Sequence, residues 1–170
     1  MYQTSLFLPY LIPLLVLDNA PTGIRKILTE QIIPGAIAYY QATLKAIPSP
    51  EPLSWTKSEI QDCARQDIDV PQALRDGVNA DLVLLFVGDK LPDSPYTGLA
   101  SPCNLEKGFK RPNFGRIQFN YVGASDALWQ DRIFLTYLVL HEMGHILGFL
   151  DGLYQHFYDP ETGKSFDPVT

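Results

Sequence analysis

The chain has 170 residues, 46% hydrophobic and 19% charged, with 14 Pro and 12 Gly, which suits one compact domain and excludes a disordered chain, a collagen or a coiled coil. Its net charge of −6, with only 13 Lys and Arg, opposes polyanion binding, which needs clustered cations to displace counterions; nucleic acid is not an expected partner. Two cysteines, Cys63 and Cys103, are too few for a disulfide scaffold and have no C-x-x-C spacing, which leaves one bridge or two free thiols.

Leu6 to Leu17 is almost wholly apolar, yet no Lys or Arg precedes it. The run is too short for the roughly 20 residues that cross a bilayer, and Pro21 follows Ala20 where an export signal would be cut. Residues 1–21 thus form an apolar N-terminal segment, open between a weak signal sequence and a buried or truncated segment. From Thr22 to Ile47 the residues Ile33, Ile37, Tyr40, Leu44 and Ile47 recur at helical spacing and put one apolar stripe on a helix. Pro34 is expected to kink that helix or start its main part, and Pro48, Pro50 and Pro52 make residues 48–54 an extended loop.

Asp81 to Val87 reads DLVLLFV, the pattern of a strand covered on both faces. Residues 88–113 form a long irregular excursion around one strand near Thr97 to Cys103, and Arg116 to Asn120 alternates as a second strand. Asp131 to Leu150 contains no Pro and is apolar nearly all round, so it should be a helix through the middle of the domain. The tail from Tyr154 to Thr170 loses the apolar periodicity and reads as loop. Glu59, Asp62, Asp67, Asp69 and Glu106 are expected to form only a solvated acidic surface.

Within the apolar helix, His141-Glu142-Met143-Gly144-His145 is H-E-x-x-H. Residues four apart share a helix face, so both imidazoles can reach one metal ion. Glu142 is turned by about 100° from His141, where its carboxylate can take a proton from an activated water without ligating the metal itself. Zn2+ is the expected cofactor and peptide-bond hydrolysis the expected reaction. The bland alternative is a pair of hydrogen-bonded core histidines with Glu142 in a local network.

The string HEMGHILGF resembles the metzincin active helix, and the wider chain resembles the leishmanolysin family of zinc endopeptidases, which includes the invadolysins. The marks, in order, are IRKILTEQIIPGAIAYYQATLKAI, then Cys63 and DVP, GVNADLVLLFV, Cys103, RPNFGRIQFN and LVLHEMGHILGF. The resemblance implies an α+β, zincin-like N-terminal subdomain over residues 22–150: a twisted mixed sheet, a backing helix and an active-site helix. It implies His141 and His145 as zinc ligands, Glu142 as general base and a Cys63–Cys103 disulfide. An extended peptide or protein substrate would pair with the edge strand near Thr97 to Cys103. A secreted or cell-surface location, with membrane association and a part in cell adhesion, comes with the family.

Catalytic zinc usually takes three protein ligands, and here two are evident. Many metzincins place the third histidine six residues after the second, where this chain has Asp151, an oxygen ligand zinc accepts. In the leishmanolysin family a long insertion precedes that histidine and a later methionine turn. The only methionines here are Met1 and Met143, so residues 151–170 are expected to be a loop opening a missing C-terminal part. Three explanations remain open: a truncated chain, a shortened enzyme using Asp151 or His156, or an inactive descendant acting as a peptide-binding or adhesion module.

Overall fold

In this computed structural model, residues 11–17, 20–46, 48–65, 68–108, 110–159 and 161–164 are described. The readings that touch residues 1–10, Ile47, Asp67 and 165–170 lie outside them. The continuous apolar run at 82–87 forms the centre of a four-stranded mixed sheet, ordered β1-β2-β4-β3. In β2 (Leu82–Asp89) every residue but the last is buried, as a strand sandwiched between two layers requires. It pairs in parallel with β1 (Leu11–Val16) and with β4 (Pro112–Asn120), while β3 (Gly98–Leu105) lies antiparallel on β4 as the far edge.

The described part of the apolar N-terminal run is therefore a strand of this sheet, in register from Leu11↔Leu82 to Val16↔Val87. Pro13 is tolerated because β1 is an edge. β4 begins four residues before the expected Arg116: Gly115 and the buried Arg116 hide the apolar alternation from a sequence reading.

The expected helix over Thr22 to Ile47 is α1 (Thr22–Ile27), one π turn (Leu28–Ile32) and α2 (Ile33–Thr43). Pro34 has no N–H to give the carbonyl of Glu30 and its ring crowds that carbonyl, and the chain absorbs this by widening the preceding turn. The wider turn resets the helical phase, so the buried residues are Ile24, Leu28, Ile32, Ile33, Ala36 and Ile37. Leu44 is already extended, with ψ 141°, and the helix stops short of the proposed Ile47 end.

Strand alternation divides the interior in two. Leu82, Leu84, Phe86, Ile117 and Phe119 face α1, α2 and α6 (Arg132–Ile146). Val83, Leu85, Val87 and Phe114 face a layer built from Trp55, α3 (Lys57–Ala64) and α4 (Gln72–Asp76). A short α5 (Asp126–Gln130) precedes α6, and Asp131 between them caps α6 by accepting from the amides of Ile133 and Phe134. The helix expected over 131–150 thus starts one residue later and ends at Ile146. By length and composition the stretch Arg132–Tyr154 is apolar enough to cross a membrane, but Leu135, Val139, Met143 and Ile146 pack in the core.

Candidate active site

α6 crosses one face of the sheet and makes its closest packing with β3. Tyr40 of α2 braces it, donating a 2.8 Å hydrogen bond to the carbonyl of Leu140, the residue before His141. Burial, reinforced by neighbouring Tyr39, raises the Tyr40 pKa, which keeps the phenol a donor.

His141 and His145 lie one turn apart and their rings converge: the two Nε2 atoms are 3.0 Å apart and the rings meet edge to face at 85°. Nδ1 of His145 lies 2.7 Å from the carbonyl oxygen of Phe149. A carbonyl only accepts, so Nδ1 carries the proton and the lone pair of His145 sits on Nε2, aimed at His141. Two imidazole nitrogens bound to one tetrahedral zinc lie roughly 3.3 Å apart, so the pair has to open by only about 0.3 Å to fit that ion.

Glu142 lies on the neighbouring face of the helix, near both imidazoles, and only 5% of it is exposed. Burial raises its carboxyl pKa, and the opposing pull of His141 and then His145 is smaller. Its Oε1 occupies the space where residue 98 would carry a side chain: a Cβ on Gly98 would stand 2.7 Å from that oxygen. The carboxylate therefore abuts the first residue of the edge strand β3.

Gly148 ends the helix with φ +128°, a conformation open to glycine and strained for other residues. The chain turns there, and Asp151 opens a one-turn helix α7 (Asp151–Tyr154) on the exposed side, with His156 two residues past its end. Among the described residues no three His, Cys, Asp or Glu side chains gather into a group able to hold a metal, so neither Asp151 nor His156 joins the imidazole pair.

One further contributor was not legible beforehand. Asn120, at the end of β4, donates to the carbonyls of Leu91, Ser94 and Tyr96 and accepts from the amide of Leu91, pinning the loop that leads into β3. Cys63 and Cys103 are joined, as the resemblance implies, in a disulfide with Cα atoms 5.5 Å apart, which ties α3 to the other end of the same strand. The pairing of β3 with β4 shifts between Pro102 and Asn104. That bulge sits at Cys103, and bulges characteristically re-aim a side chain.

An α+β domain whose central helix turns both imidazoles of H-E-x-x-H toward one point, with the buried carboxylate of Glu142 nearby, has the framework of a metallopeptidase. The leishmanolysin family model matches residues 20–167. That is most of the chain, which therefore belongs to the leishmanolysin family, a family of zinc-dependent metallopeptidases. No curated protein matches it.

Proposed function

We propose that this chain carries the catalytic subdomain of a zinc endopeptidase, with His141 and His145 as two zinc ligands and Glu142 as general base. The observation that carries the reading is the 3.0 Å approach of the two Nε2 atoms beside a buried carboxylate at the start of an edge strand. Zinc held there would supply Lewis acidity, polarising the scissile carbonyl and making water a stronger acid. A third protein ligand would complete the set; among the described residues none stands beside the imidazole pair.

The chain's own groups account for the rest. Glu142 takes a proton from the attacking water onto a carboxylate oxygen and returns it to the leaving amine nitrogen; its raised pKa brings it nearer the working range of such a base. Among the described residues the outer edge of β3 has no partner strand, and its main-chain groups can pair with an extended peptide and hold it in register. The Phe149 carbonyl keeps His145 in the tautomer that leaves Nε2 free to ligate. The substrate is an extended peptide or protein. The site of action is outside the cytosol or at the cell surface, where a disulfide persists.

A second reading is a peptide-binding or adhesion module that no longer cuts, and the lack of a third ligand among the described residues favours it. Glu142→Ala separates the two. In an enzyme the variant keeps one equivalent of zinc and loses casein cleavage; in a silent module the parent holds no zinc and cleaves nothing. Undiminished cleavage by the variant would refute the role given to Glu142.

A further inference from the structure

On the sheet face turned away from α6, a guanidinium group is buried without a hydrogen-bond partner among the described residues. Arg116 of β4 is 1% exposed, and its Nε, Nη1 and Nη2 make no hydrogen bond. It lies between Leu85 of β2 and Ser101 of β3 in the register, on the side of Phe114 and α3. Beside it opens a cavity of about 340 Å³, lined also by Arg65, Asp62, Glu59, Trp55 and the Cys63–Cys103 bridge.

An unpaired buried cation strongly destabilises a fold, so the neighbouring groups matter. Glu59 is already engaged, accepting from the amide and hydroxyl of Thr56 at the start of α3. Asp62 is exposed and turned back along its helix toward Ser58. Neither carboxylate pairs with Arg116. The other cation lining the cavity is Arg65, itself in the left-handed conformation at the end of α3, φ 55°. Burial and the like charge of Arg65 both lower the pKa of Arg116. Two arginines thus line one cavity and repel each other, and among the described residues no carboxylate pairs with Arg116.

We propose that this cavity binds a small oxyanion, a phosphate or a carboxylate group, with Arg116 and Arg65 as its two guanidinium donors. The planar fork of each arginine matches such a group in two-point fashion. Asp62 and Arg65, which line the cavity, are both exposed to solvent. Bound there, the anion neutralises the buried charge and fastens α3 to β4 and β3 behind the sheet. The site is separate from the imidazole pair and needs no metal.

The test is thermal unfolding of the full chain at constant ionic strength, with chloride replaced stepwise by inorganic phosphate or by acetate, and Trp55 fluorescence as a binding signal. A ligand that binds only the folded state raises Tm with the logarithm of its concentration. The wild type is expected to respond, and the anion with the stronger effect identifies the group recognised. Arg65→Gln, at an exposed position, should fold normally and shift the response to about tenfold higher anion concentration, the loss of one charge-assisted contact. Arg116→Met should be more stable than wild type in chloride and respond to neither anion. The proposal is overturned by equal responses in all three proteins, by no response in the wild type, or by an Arg116→Met variant less stable than wild type in chloride.

Discussion

Removing the Cys63–Cys103 bridge tests how the edge strand is held. The bridge spans a sequence separation of 40 residues, and closing a loop of that length removes about 4 kcal/mol of conformational freedom from the unfolded chain. It joins a buried position on α3 to the bulge of β3, so the far end of the edge strand depends on it directly. The double variant Cys63→Ala/Cys103→Ala avoids a lone reactive thiol. Against a domain stability of about 5–15 kcal/mol, its loss should be plain in urea unfolding followed by tryptophan fluorescence. The midpoint should fall and the slope should steepen, because the uncrosslinked chain exposes more surface on unfolding. Reduced wild type should behave alike. A loss under about 1 kcal/mol with an unchanged slope would show that the bridge does not constrain the unfolded chain as this reasoning requires.

Tyr40→Phe removes the hydrogen bond to the Leu140 carbonyl and should lower unfolding free energy by about 0.5–1.5 kcal/mol, measured by urea titration. Gly148→Ala forces a side chain onto φ +128° and should destabilise by about 1 kcal/mol or more, read from the same titration. Glu59 has its pKa lowered, first by the Thr56 amide and then by the Thr56 hydroxyl. A carboxylate lowered on folding contributes stability above its unfolded pKa, and that contribution disappears as pH falls through the folded value. Glu59→Gln should therefore be less stable than wild type at neutral pH and converge with it in acid, in paired urea midpoints at the two pH values.

His141, Glu142 and His145 could be read directly because their arrangement is local: helical spacing alone puts the two imidazoles on one face and the carboxylate on another. The unbroken apolar run at 82–87 likewise announced a strand covered on both sides, and the apolar stretch before His141 a central helix. The leishmanolysin resemblance, which the family match supports, rested on several such local strings in the right order.

Other features depend on partners far away along the chain, and no window of sequence contains both halves. Leu11 to Val16 is apolar enough for several fates, and pairing with β2 is what makes it a strand. Tyr40 braces a carbonyl 100 residues on, and Gly98 leaves room for a carboxylate on α6. Composition counted Arg116 as one of 13 basic residues; strand pairing and the packing of α3 place it in the interior. Spacing along the chain determines which side chains share a face. Where that face points, and what it meets, is decided by tertiary packing, because those contacts form only once the whole chain has closed.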